Sequence, residues 1–213
     1  MLRSLPWLFL AFALAAGNPD GMTRIPSGQF QPFFKNQPAV SLPAFFLDSA
    51  PVTNREYLIF VRAHPEWRRD RTKRIFADAA YLKHWLAPDS ISPESAEMPV
   101  THVSFFAARA YCNWREKRLP TLAEWEFALN DHQNGNPGLK PVAGLWEWVS
   151  DFNSVMISAE SRAGADKDLF CGGGVVNGKD PRSYDTYMRY AFRSSLKANY
   201  NTANLGFRCA RDL

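Results

Sequence analysis

The chain has 213 residues, 46% of them hydrophobic and 22% charged, with a formal net charge of +4 and a pI near 9.0. This composition excludes a disordered tail, a collagen-like repeat and a polytopic membrane protein, and the small positive excess does not argue for nucleic acid as a partner. The length favours one domain, and 16 Phe, 7 Trp and 7 Tyr supply large apolar side chains for its core.

Arg3 supplies a short positive region, and Leu5 to Ala16 follows without a charge. Ala13-Leu14-Ala15 is a small-x-small cleavage site ahead of Gly17-Asn18-Pro19. Those three parts are those of a secretory signal peptide, so residues 1–17 are expected to be removed and 18–213 to form the domain. A membrane anchor is the alternative, but twelve residues of helix span only about 18 Å of a hydrocarbon core about 30 Å thick. The expected location is periplasmic or secreted, with no membrane span after signal cleavage, in an oxidising compartment where cysteines can pair.

Further along, Pro and Gly recur densely and no internal repeat is visible. Ala44 to Leu47 is a short strand candidate. Thr53-Asn54-Arg55-Glu56 reads as a capping box, with Tyr57, Phe60 and Val61 as an apolar stripe at helical spacing. Trp67 to Arg74 holds Arg68, Arg69, Arg71, Lys73 and Arg74 against Asp70 alone. That run could clamp an anionic partner or simply be a solvated loop face. Ser104 can cap a second helix with Ala107, Ala110, Tyr111 and Trp114 on one face. Thr121-Leu122-Ala123-Glu124 is a second capping box, leading into Trp125, Phe127 and Ala128. Asn130 to Gly138 reads as a compact loop, and Leu145 to Val149 and Gly206 to Ala210 as short strands. The fold class is α+β, a single irregular domain with little regular secondary structure.

Generic catalytic patterns are missing. No glycine-rich loop ends in Gly-Lys-Ser/Thr, no G-x-S-x-G elbow occurs, and Cys171-Gly172-Gly173-Gly174 with Gly178 does not fit a dinucleotide fingerprint. His64, His84, His102 and His132 are scattered, which suits satisfied or surface histidines better than a folded metal cluster.

From about Met22 onward, six motifs in order resemble the formylglycine-generating enzyme, or sulfatase-modifying factor, family. Met22-Thr-Arg-Ile-Pro-Ser-Gly-Gln-Phe30 is similar to its opening strand, and Pro51-Val-Thr-Asn-Arg-Glu-Tyr57 to its first helix. Pro99-Val-Thr-His-Val-Ser104, Ala110-Tyr-Cys-Asn-Trp114 and Lys117-Arg-Leu-Pro-Thr-Leu-Ala-Glu-Trp-Glu-Phe127 resemble its longest motif. Gly144-Leu-Trp-Glu-Trp-Val-Ser-Asp151, Gly172-Gly173 and Asn204-Leu-Gly-Phe-Arg-Cys-Ala210 complete the series. The resemblance implies a single domain related to C-type lectins, built around an aromatic-rich core.

Active members of that family oxidise a sulfatase cysteine to formylglycine with oxygen and a copper ion held by two cysteines. Those cysteines flank a stretch such as Cys-His-Arg-Ser-Tyr-Cys. The matching stretch here is Asp180-Pro-Arg-Ser-Tyr-Asp185, so Asp180 and Asp185 stand at the two reactive positions, the match being closer for Asp185. Copper(I) selects soft thiolates, so copper and thiol-dependent formylglycine formation are expected to be absent. Asp180 and Asp185 could still do acid–base work or hold a hard cation; the alternative is a pair of solvated turn residues.

The resemblance also implies a disulfide between Cys112 and Cys209, worth about 4 kcal/mol for a loop of about a hundred residues; two buried free thiols are the alternative. A second family disulfide falls on Leu129 and Tyr190 and is lost, leaving Cys171 unpaired as a small hydrophobe rather than a nucleophile. One calcium site of the family falls in the shortened Asn130 to Gly138 stretch and is expected to be gone. Another could survive through the carbonyl of Leu145 and Glu147, although Gly144 replaces its usual Asn; otherwise Glu147 is a buried carboxylate bonded to backbone groups. Arg182, Ser183, Tyr184, Arg193, Arg208, Trp146 and Trp148 are groove or binding candidates, with salt-bridging to the fold an equal alternative for Arg193 and Arg208. The expected function is a non-catalytic binding, regulatory or maturation accessory role beside an unidentified envelope or periplasmic protein. The alternative is an oxidoreductase acting on an exported small molecule or peptide by a non-thiol route.

Overall fold

Thr53 stands in extended backbone, its hydroxyl accepts from the Glu56 N–H, and the Glu56 carboxylate accepts from the Thr53 N–H. This closed capping box starts helix α1 (Asn54–Ala63). In the same way the Ser104 hydroxyl accepts from the Ala107 N–H to start α2 (Phe105–Trp114). Thr121 and Glu124 exchange the reciprocal bonds that start α3 (Leu122–Gln133). These elements come from a computed structural model that describes residues 21–32, 38–133, 138–152 and 195–213.

Around the helices run short strands. β1 (Met22–Ile25), β4 (Phe45–Asp48) and β7 (Ala210–Asp212) form an antiparallel sheet in the order β1-β4-β7, with Ile25 opposite Phe45 and Leu47 opposite Ala210. β2 (Gly28–Phe30) pairs antiparallel with β3 (Val40–Leu42), and β5 (Trp146–Glu147) pairs parallel with β6 (Leu205–Gly206). The mixture is α+β with few regular elements.

Several boundaries differ from the sequence reading: Leu145 to Val149 shortens to β5 (Trp146–Glu147), and Ala44 to Leu47 shifts by one residue to β4 (Phe45–Asp48). The opening strand is two strands in different sheets, parted at Pro26, which has no N–H to give a ladder. Asn130 to Gln133 continue α3 instead of entering a loop; the Asn134-Gly135 turn signal comes only after them. Gly206 to Ala210 is broken between β6 and β7: Phe207 bonds to the connecting segment at Val52, and Cys209 bonds to Asp48 at the end of β4. The Phe207 carbonyl accepts from the Val52 N–H, and the Cys209 N–H donates to the Asp48 carboxylate. Gly206 itself has no room for a side chain, since a Cβ there would lie 2.6 Å from the carbonyl oxygen of Val100.

The core is aromatic. Tyr57, Phe60, Tyr81, Trp85, Tyr111, Trp148 and Phe207 are all buried, and the Tyr57 ring lies against those of Phe60, Trp85, Tyr111 and Phe207. The buried hydroxyls form a chain: Tyr57 donates to Tyr81, and Tyr81 donates to the carbonyl of Trp67. Burial raises both phenol pKa values, so the chain stays protonated.

Between α1 and α2 lie some forty residues whose only helical pieces are 3₁₀ turns at Pro65–Trp67 and Pro93–Ser95. Asn54, 2% exposed, ties this segment down. Its amide donates to the carbonyls of Ser95 and Met98, and its oxygen accepts from the Trp85 indole at 2.8 Å. One buried amide thus replaces the regular ladder the segment lacks.

Candidate functional site

Arg208 lies between β6 and β7 and points inward. Its side chain is 3% exposed, and Glu147 on β5 is 2% exposed. The guanidinium donates to both carboxylate oxygens, at 2.7 and 2.8 Å, and also to the Asp48 carbonyl at 3.1 Å. The Trp125 indole on α3 donates to the same Glu147 carboxylate at 2.9 Å. Burial works against the Arg208 charge, but Glu147 and then Asp48 outweigh it and hold the guanidinium pKa above its ordinary value. The bidentate pair therefore joins β5, α3 and the C-terminal segment in a dry setting.

Arg208 is thus the salt-bridged arginine of the two alternatives, sealed in the fold rather than lining a groove. Trp148 is also a core residue, 1% exposed, with its indole donating to the Val103 carbonyl. Trp146 is half-buried at the edge of the core. Glu147 is the buried carboxylate of the second alternative, but its partners are Arg208 and an indole, not backbone groups. Gly144 sits at φ +75°, a left-handed conformation that glycine adopts without strain. Asp180, Arg182, Ser183, Tyr184, Asp185 and Arg193, together with Cys171 and Tyr190, lie outside the described residues.

Cys112 on α2 and Cys209 are joined by a disulfide, with Cα atoms 5.6 Å apart and both residues fully buried. Of the three cysteines in the chain, Cys171 alone is left over.

Sequence spacing missed three features. Phe105, Arg109, Asn113, Arg118, Thr121 and Glu124 line an open cleft of about 310 Å³. Arg118 is neutralised there by Glu124 and Asp212. The basic run is partly absorbed: Arg68 pairs with Asp89 as well as Asp70, and Arg69 donates to the carbonyls of Leu82 and Trp85. Finally, two of the scattered histidines meet, the rings of His84 and His102 lying 5.2 Å apart. Among the described residues no group of three His, Cys, Asp or Glu side chains converges as metal ligands do.

The histidine pair makes stability depend on pH. Burial, then His102 and Arg69, lower the pKa of His84 from 6.5 to about 4. Between those values the unfolded chain binds a proton that the folded chain does not, so stability falls as pH drops through the window. With solvent reaching the exposed His84 ring, the expected loss is about 1 kcal/mol. Urea midpoints at neutral pH and in the middle of the window should separate the parent from His84→Gln, which loses this part of the slope. Equal slopes for the two proteins would show that His84 does not titrate this way.

The sulfatase-modifying factor enzyme 1-like domain model matches residues 11–138 and 136–213. The formylglycine-generating enzyme of Streptomyces coelicolor is 27% identical over 280 aligned residues, covering 90% of this chain and 89% of that protein. The inactive C-alpha-formylglycine-generating enzyme 2 of Bos taurus is 32% identical over 158 residues, 57% of this chain and 52% of that protein. The serine/threonine-protein kinase Pkn1 of Chlamydia trachomatis is 28% identical over 216 residues, 82% of this chain but 34% of its own. With the family motifs on the capped helices, on β5 and around Arg208, and with the family model covering most of its length, the chain belongs to the sulfatase-modifying factor enzyme 1-like domain family.

Proposed function

We propose that the protein is an exported, non-catalytic member of its family, a binding, regulatory or maturation accessory domain acting beside another envelope or periplasmic protein. The observation that carries this reading is cysteine arithmetic. Three cysteines less the two in the Cys112–Cys209 disulfide leave one thiol, whereas the family's copper site needs two thiolates. The donor set does not fit copper, and Asp180 and Asp185, at the reactive positions by resemblance, are hard oxygen ligands. Relatives named inactive formylglycine-generating enzyme support the same direction.

Calcium at Leu145 and Glu147 is left out of this reading, because the Glu147 carboxylate is already engaged by Arg208 and Trp125. Export through residues 1–17 and a fold related to C-type lectins belong to the proposal on the sequence pattern and the resemblance. The test is elemental analysis of protein purified without chelator, combined with incubation with a Cys-x-Pro-x-Arg peptide under oxygen. The expected result is no stoichiometric copper or iron and a peptide of unchanged mass. Stoichiometric redox metal with oxygen uptake would overturn the reading in favour of an oxidoreductase.

A further inference from the structure

The part of the basic run that the fold does not absorb is a turn with a definite shape. Arg71, Lys73, Arg74, Ile75 and Phe76 are exposed, and Ile75 is 70% so. The turn is braced from below. The Arg71 N–H donates to the Arg68 carbonyl, the Phe76 and Ala77 N–H groups donate to the Lys73 carbonyl, and Asn199 donates to the carbonyl of Arg74. The Phe76 ring packs edge-on against Phe106 at 5.5 Å and leans on Trp67 at 6.1 Å. Arg109 lies over the rings of Phe105 and Phe106 and adds another cation to this face.

The nearby acids are already occupied. Asp70 holds Arg68, Asp89 holds Arg68 from the other side, Asp78 accepts from Ala80 and Asn201, and Glu66 faces His64. Among the described residues, Arg71, Lys73 and Arg74 have no ion-pair partner. Asp70 acts on Arg71 only through space, its oxygens being held by Arg68, so the turn keeps a net positive charge around a projecting aliphatic side chain on a braced support.

We propose that this turn docks the protein on an anionic lipid surface, the cations meeting lipid phosphates and Ile75, with the exposed edge of Phe76, entering the interface. Charge complementarity draws such a surface from a distance, and an apolar tip gains free energy only where water is excluded. An acidic protein segment would satisfy the cations but give Ile75 no comparable place, since the exposed turn offers a tip and not a groove. Cations with an adjacent apolar residue are the combination that interfacial binding uses.

The probe is co-sedimentation of the protein, as the cell matures it, with phosphatidylcholine vesicles with or without phosphatidylglycerol, at low and high salt. Binding is expected only with phosphatidylglycerol and should weaken at high salt. Lys73→Glu with Arg74→Glu should lower low-salt affinity by at least about thirtyfold, from about fivefold per cation lost, with the two new carboxylates adding repulsion. Ile75→Ser should lower it by about tenfold at either salt. Because all three side chains are exposed, unchanged melting curves exclude misfolding as the cause. Equal binding to neutral vesicles, affinity unmoved by the charge reversals, or binding to soluble poly-glutamate without binding to vesicles would overturn the proposal.

Discussion

Glu147→Gln should destabilise the protein by about 3–5 kcal/mol, because it leaves the Arg208 guanidinium buried without its counter-charge. Gln keeps the size of the side chain and can still accept from Trp125, so a cavity contributes little. The loss is the uncompensated charge. Arg208→Met should cost a similar amount, leaving the carboxylate with the Trp125 indole alone and the Asp48 carbonyl without its guanidinium donor. Combining Arg208→Met with Glu147→Leu should cost much less than the sum, since an apolar pair of similar volume removes both charges. Denaturant midpoints of the parent, Glu147→Leu, Arg208→Met and the double variant close this cycle. Additive losses would mean that the two side chains do not act as a pair, and the account of the β5, α3 and C-terminal junction would fall with it.

Loss of the Cys112–Cys209 bridge should have the second large effect. The crosslink spans 97 residues and restricts the unfolded chain strongly, a contribution of about 4–5 kcal/mol on the chain-entropy model. Cys112→Ala with Cys209→Ala should lower the urea midpoint to match, with a further small loss from the two buried sulfurs. Reductant should lower the midpoint of the parent and leave the double variant unmoved. Thiol titration of the denatured protein should count one group before reduction and three after, which also checks the arithmetic behind the proposed loss of copper chemistry. A parent midpoint insensitive to reductant would show that the bridge does not form in the isolated protein.

Much of the helical framework was legible in the sequence because its signals are local. Thr53, Ser104 and Thr121 satisfy N–H groups within three residues of themselves, so capping and the apolar stripe of α1 could be read directly from spacing. The motif series also carried the Cys112–Cys209 pairing, though only by resemblance. The strands were harder to place. At two to four residues they are too short for an alternating pattern to develop, and Pro26 and the inward turn at Arg208 set their ends.

The site shows the same division. Sequence alone determined which chemistry the chain can supply: three cysteines, two aspartates that by resemblance stand at the thiolate positions, and five cations in one run. Tertiary structure alone decided which charges meet. Arg208 reaches Glu147 across 61 positions, Asp89 neutralises Arg68 across 21, and the His84 ring lies beside that of His102 from a separate turn. Those encounters depend on packing around the aromatic core, not on a repeat along the chain. Packing therefore left Arg71, Lys73 and Arg74 in solvent while it sealed Arg208 inside.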